Sequence, residues 1–282
     1  MSHWKKLAAA FAGTAMLAGC EDRTPQNLPL HHVAGPNTQD IIVAHRNGTW
    51  TLTLDGIRHT FTDSDAMTTF EVFGDEGTGQ DEIVLYQSQD AHLFCWVCDF
   101  REVSESDPEH PAPHFALLAG TGPWNEFGGS VLVIGHPTLD FGGMGDANAT
   151  YGGGVGTIIM DNGNGRDVWD SLAVLTADFA NSTISGRLYG FVGTYPDYNS
   201  PPPFDVLTLP PTRFTTEGFS GQFEPSCLEA GDHFTASYEG SLYGPNADSV
   251  AGTIIGTGVF NGVRVRAWGG FQGWQHLAIS LE

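Results

Sequence analysis

From residue 39 almost to its end the chain is a succession of short runs rich in β-branched, aromatic and small residues. A turn signal cuts off each run before a helix could complete three turns. Ile41–Arg46, Asn47-Gly48, Thr49–Leu54, Asp55-Gly56 and Ile57–Thr62 spell a three-strand meander. Asn-Gly and Asp-Gly supply the positive φ angles that two-residue hairpin turns demand. The i, i+3, i+4, i+7 recurrence of an amphipathic helix is almost absent, so the pattern predicts an all-β chain.

Further strands are predicted at Glu82–Gln87, His92–Phe100, His114–Leu118 and Ser130–Ile134, with a polar, proline-bearing loop at 104–114. From Asp146 onward the spacing is more regular. Eight runs follow: Thr150–Met160, Leu172–Phe179, Thr183–Leu188, Val206–Thr215, Phe219–Phe223, His233–Tyr243, Ser249–Thr257 and Val263–Gly270. Eight strands suffice to close a barrel whose interior is filled by its own side chains. Glycines inside these runs, such as Gly186, Gly240, Gly252 and Gly256, weaken a flat strand but permit the bends of a coiled wall. YEGSLYGPNADSVAGTIIG (238–256) then reads as two adjoining wall strands around the turn Gly244-Pro245-Asn246-Ala247.

The chain opens MSHWKKLAAAFAGTAMLAGC. Lys5 and Lys6 precede an apolar run, Leu7–Gly19, that is shorter than a membrane span requires and matches a secretory signal. Leu17-Ala18-Gly19-Cys20 resembles a bacterial lipobox, which implies removal of residues 1–19 and acylation (palmitate) at Cys20. Residues 20–38, rich in Pro, Asn, Gln and charge, read as a flexible tether. The remaining organisation expected is a β-rich domain over 39–145 and a barrel over 146–282.

Lys5 and Lys6 are the only lysines, so nine arginines stand against 33 acidic residues once the signal is removed, formally −24. Such a surface repels polyanions, which excludes nucleic acid as a partner.

Four blocks, in order, carry a resemblance: IGHPTLDFGGMGDANATYGGGVG (134–156), LTADFANSTISGRLYGF (175–191), FSGQF (219–223) and YEGSLYGPNADSVAGTIIG (238–256). They resemble the barrel region of transferrin-binding-protein-B-like surface lipoproteins. The matching positions are the run from Gly145 or Asp146 through Ala149, Tyr151 and Gly153; Asp178, Phe179, Ile184, Ser185 and Gly186; and Gly240, Tyr243, Gly244, Pro245, Ala247, Ala251, Gly252, Ile254 and Gly256. The resemblance implies a β-rich handle-like domain followed by an eight-stranded antiparallel β-barrel, tethered by lipid to the outer membrane. It further implies a cell-surface binding role in nutrient capture, with a protein or haem-related ligand, and export through an outer-membrane translocon. That family's receptor has two handle–barrel lobes, whereas this chain has room for one. Glu21-Asp22 after the lipid site leaves a periplasmic face as the alternative location.

No enzyme site or cofactor is expected. Cys95-Trp96-Val97-Cys98 has thiol-oxidoreductase spacing but lies in an apolar strand-like run rather than at a helix N-terminus. As a bridge it is also strained, because residues i and i+3 of a strand stand about 10 Å apart and a disulfide spans about 7 Å. Either the chain turns at Trp96-Val97, or one of Cys95 and Cys98 pairs with Cys227; one of the three remains free or pairs between molecules. His110 and His114 read as solvated loop residues, and Asp161–Asp167 as a plain turn rather than a calcium loop, so no metal is expected. The loop Tyr195–Phe204, with Tyr195, Tyr198, Phe204 and four prolines, is the candidate ligand contact, against a loop folded back on the barrel wall. The alternative functions are an envelope thiol oxidoreductase using Cys95 and Cys98, and a structural or adhesive envelope lipoprotein.

Overall fold

A computed structural model of the chain describes residues 26–27, 30–35, 42–46, 49–54, 57–62, 66–72, 81–87, 91–96, 115–121, 130–134, 137–195, 204–244 and 246–275. Among these residues the elements are strands alone. Ten precede the barrel: β1 (Gln26–Asn27), β2 (Leu30–Ala34), β3 (Ile42–Arg46), β4 (Thr49–Leu54), β5 (Ile57–Thr62), β6 (Ala66–Val72), β7 (Asp81–Gln87), β8 (Ala91–Trp96), β9 (Phe115–Thr121) and β10 (Ser130–Ile134). They form a four-stranded sheet, β1-β3-β4-β5, and a six-stranded sheet, β2-β10-β9-β8-β7-β6. The β3–β5 meander has the register its two-residue turns dictate, with Arg46 opposite Thr49 and Leu54 opposite Ile57.

One expectation is corrected here. Residues 20–38 are not a tether throughout, because β1 pairs with β3 and β2 pairs with β10. Ala34, Val33 and His32 oppose Val131, Leu132 and Val133, and His32 Nε2 lies 3.1 Å from Ser241 Oγ on the barrel. Local composition cannot reveal this strand, since its backbone partners lie about a hundred residues downstream. Strand β6 was likewise not foreseen.

The barrel closes as β11 (Asn148–Asp161), β12 (Arg166–Asp178), β13 (Thr183–Tyr195), β14 (Val206–Thr215), β15 (Gly218–Pro225), β16 (His233–Tyr243), β17 (Ser249–Phe260) and β18 (Val263–Gln275), with β18 returning to β11. Every neighbouring pair is antiparallel, as expected for consecutive strands joined by short turns. The 238–256 segment is the β16–β17 hairpin, with Tyr238 opposite Ile254 and Gly240 opposite Gly252.

Inside, the barrel is filled with aromatic rings. Phe141, Phe179 and Phe214 cluster at one end, and Phe191, Phe204, Phe234 and Phe260 at the other. Phe219, Phe223, Tyr238 and Phe271 occupy the space between them. The in-strand glycines serve this filling more than they serve bending. A Cβ at Gly240 would lie 2.5 Å from Phe219 Cζ, one at Gly252 2.5 Å from Phe271 Cζ, and one at Gly256 2.9 Å from Phe234 Cζ. Large rings on one strand thus rest over bare backbone on the next, which lets a narrow barrel reach interior packing density.

A second, smaller core joins the two parts. Ala34 of β2 and Val131 and Val133 of β10 pack on the outward faces of Ile159, Val168, Tyr243, Ala251 and Trp268. Gly270 leaves room for Val131, whose Cγ1 would lie 2.6 Å from a Cβ there. The connection after β10 is pinned too: Thr138 N–H donates to Leu242 O at 2.9 Å, and Thr138 Oγ1 donates to Gly244 O at 2.6 Å.

Two buried phenols tie stability to pH. Tyr151 donates through its hydroxyl to Ala247 O at 2.8 Å, and Tyr243 lies fully buried in the second core. Burial holds both phenols above the usual tyrosine range, with Asp248 adding to the effect at Tyr151 and Ser241 opposing it at Tyr243. The folded state therefore resists their ionisation, and the unfolded chain binds fewer protons above about pH 10. Stability is expected to be intact below that pH and to fall above it, by up to about 1.4 kcal/mol per pH unit for each phenol. Urea midpoints from pH 8 to 11 check this, and Tyr243→Phe should reduce the slope.

Candidate functional site

The rings filling the barrel leave the outer wall and the strand connections as the surfaces on which a ligand could act. The proposed contact loop is only partly where the sequence placed it. Tyr195 ends β13, with its backbone opposite Val168. Tyr198 lies outside the described residues. Phe204 is a correction: it is 2% exposed, stacks on Phe234 at 5.0 Å between ring centroids, and meets Phe191 edge-on at 5.1 Å. Phe204 belongs to the barrel core, because an aromatic ring entering the open end of a narrow barrel gains more from burial than from display.

Cys95 lies within β8, with Val84 and Leu117 as backbone neighbours on either side. Cys98 and Cys20 lie outside the described residues. Cys227 is a free, exposed thiol, which corrects its proposed pairing with Cys95 or Cys98. It takes a left-handed backbone angle, φ 59°, in the connection between β15 and β16. Asp205, hydrogen-bonded to the thiol and negatively charged, pushes it above the usual cysteine range, the reverse of what a reactive thiolate needs.

At the barrel end that receives Phe204, Asp161, Arg266, Arg264 and His233 line an open depression of about 640 Å³. Asp161 Oδ2 there faces Arg266 Nη2 at 3.6 Å and, beside the depression, Arg166 Nε at 3.3 Å, so one of the two lining guanidinium groups is engaged within the chain. The neighbouring 161–165 segment is a turn closed by its own side chains, with Gly163 N–H donating to Asp161 Oδ1 and Asn164 N–H to Asn162 Oδ1. Among the described residues no group of three His, Cys, Asp or Glu is placed to hold a metal, and no helix is long and apolar enough to cross a membrane.

The outer wall itself is uneven. On β15 and β16 the outward positions are Ser220, Gln222, Glu224, Thr235, Ser237 and Glu239, as a wetted barrel surface requires. On β12 and β13 they are Asp170, Leu172, Val174, Arg187, Tyr189 and Val192, with Leu172 40% and Val192 47% exposed. Sequence reasoning passed over this face. The signal was present in Leu172-Ala173-Val174-Leu175, where apolar residues continue on both faces of a strand that would alternate if its outer side met only water.

No family model matches the chain, and no curated protein matches it. Among solved structures it is similar to transferrin binding protein B from Haemophilus parasuis. A single mutant is 15% identical with a TM-score of 0.40, and a double mutant is 13% identical with a TM-score of 0.38. Each likeness covers 80% of this chain and 40% of the other. A protein of unknown function of the DUF3598 family from Nostoc punctiforme is 10% identical over 86% of both chains, with a TM-score of 0.24. The chain thus spans about two fifths of the length of the transferrin-binding structures it matches, at 40% of each.

Proposed function

We propose that the chain is a lipid-anchored binding protein of the outer membrane, displayed on the cell surface, which captures a protein or haem-related nutrient ligand without catalysing a reaction. The observation that carries this reading is where the four resembling blocks fall. They coincide with β11 and its lead-in, the β12–β13 hairpin, β15 and the β16–β17 hairpin of one closed barrel. Small residues within those blocks lie beneath the aromatic rings, at Gly240, Gly252 and Gly256. A barrel filled by its own side chains, with polar residues outward on β15 and β16, is the inverse of a transmembrane barrel. It therefore suits a domain carried outside the bilayer on an acyl anchor at Cys20, with its ligand engaged on the exterior. Export through an outer-membrane translocon is part of the same reading.

Two measurements test it. Palmitate labelling should mark the parent chain, and Cys20→Ala should abolish the label; an unlabelled parent would refute the anchor. Protease shaving of intact cells should remove the barrel from the surface, and saturable capture of one component from the organism's own growth medium should follow. A barrel that survives shaving places the protein on the periplasmic side instead.

A further inference from the structure

One corner of the outer wall inverts the charge of the rest. The chain carries three acidic residues for each basic one, 33 against 11. Yet Arg166, Arg264 and Arg266, three of the five arginines after residue 145, gather at the barrel end that holds the open depression. Strand register sets the outward residues there in two rows: Thr235–Thr257–Arg266–Asp161 and His233–Val259–Arg264. Val265 and Ala267 pack toward the barrel core, so alternation turns Arg264 and Arg266 outward. Of the described residues lining the depression, Asp161 is the one acid, against Arg264, Arg266 and His233.

The two lining guanidinium groups are held differently. Asp161 Oδ1 accepts from Gly163 N–H at 2.7 Å, which fixes the carboxylate, and its Oδ2 holds Arg266 at 3.6 Å. The Arg266 side chain stays 74% exposed and keeps most of its donors free for a ligand. Arg264 is exposed and meets no described carboxylate within ion-pairing distance. Asp232, next to His233, is turned to the β17–β18 connection, where its Oδ1 accepts from Asn261 N–H at 2.8 Å. A planar fork held in place beside an uncommitted one is a donor set suited to phosphate or carboxylate oxygens. The space, about 640 Å³, is that of a small-molecule site. We propose that this depression binds a compact polyvalent oxyanion, a small di- or tricarboxylate or a diphosphate, with Arg264 and Arg266 as its principal contacts. The surrounding surface selects against larger anions. At physiological salt the Debye length is about 8 Å, so a compact ligand senses this corner alone. A sheet of anionic lipid or a nucleic acid also meets the acids around it and is repelled. The site depends neither on the acyl anchor nor on the nutrient-capture reading.

Isothermal titration of the full chain at low salt, with citrate and with pyrophosphate as probes in metal-free buffer, tests the proposal. At least one probe should bind saturably, one anion per chain, and which of them binds tells carboxylate from phosphate recognition. Arg264→Gln should weaken that binding about tenfold, and Arg264→Glu should abolish it. Arg187→Gln makes the same change of net charge on another face of the barrel and should leave binding unaltered. Circular dichroism establishes that each variant is folded. Vesicles of phosphatidylglycerol should not retain the Cys20→Ala chain. A parent that binds neither probe, an Arg264→Gln chain that binds like the parent, an Arg187→Gln chain weakened as much as Arg264→Gln, or retention by the vesicles overturns the proposal.

Discussion

Gly252→Leu is expected to lower the stability of the barrel by about 3 kcal/mol or more, at the upper end of what overpacking costs. Gly252 faces inward on β17 between Gly240 and Phe271 in the ladder. A Cβ there would meet the Phe271 ring, with Cζ at 2.5 Å and Cε1 at 2.8 Å, and would press on the Glu239 carbonyl oxygen. The ring is held by Phe219 and Phe223, and the carbonyl belongs to β16, so neither can swing aside at low cost. Such a loss is a large share of the 5–15 kcal/mol that typically holds a domain folded. Thr257→Leu, on the exposed outer side of the same strand, should stay within about 0.5 kcal/mol of the parent. Urea melts followed by circular dichroism give both values. Equal midpoints for Gly252→Leu and the parent would remove the argument that glycines make room for the rings.

Val131→Asp should have a comparable effect in a different place. Val131 is fully buried between the six-stranded sheet and the barrel, among Ala34, Tyr243, Ala251 and Trp268. The residues of that cluster are all uncharged, and an uncompensated buried charge costs about 3–5 kcal/mol. The larger barrel core is a separate cluster, so the expected result is release of the six-stranded sheet from a barrel that stays folded. Limited proteolysis should then cut the 135–147 connection early and leave a stable C-terminal fragment. A variant digested at the parent's rate would show that the small core does not hold the two parts together.

The eight barrel strands were legible because each is bounded by its own turn chemistry and pairs mainly with its sequence neighbours. Asn261-Gly262, for instance, both take positive φ and join β17 to β18 between two of the predicted runs. What depended on distant partners was not legible. Leu30–Ala34 looks like linker until β10 lies beside it, and Ala66–Val72 gains strand form only against β7. Phe204 follows three prolines and reads as part of an exposed loop; only the arrangement of Phe191 and Phe234 around an open barrel end shows that it turns inward. The outer face of β12 and β13 was hidden for a related reason. Alternation predicts which residues face out, but an exposed Leu172 acquires meaning only when Tyr189, Val192 and Arg187 are brought beside it by strand pairing.

Because Gln26 already pairs with β3, an acyl group on Cys20 would be separated from the first described strand by no more than five residues, 21–25, rather than by the whole of 20–38. Fully extended, five residues reach about 17 Å. In the lipid-anchored form the first sheet would therefore ride within a headgroup layer's thickness or two of the bilayer, with little freedom to stand off. A bulky ligand would have to be met at grazing height, among the other tall structures of a bacterial surface, and neighbouring anchored copies would share one thin layer in which even weak lateral contacts are encountered often.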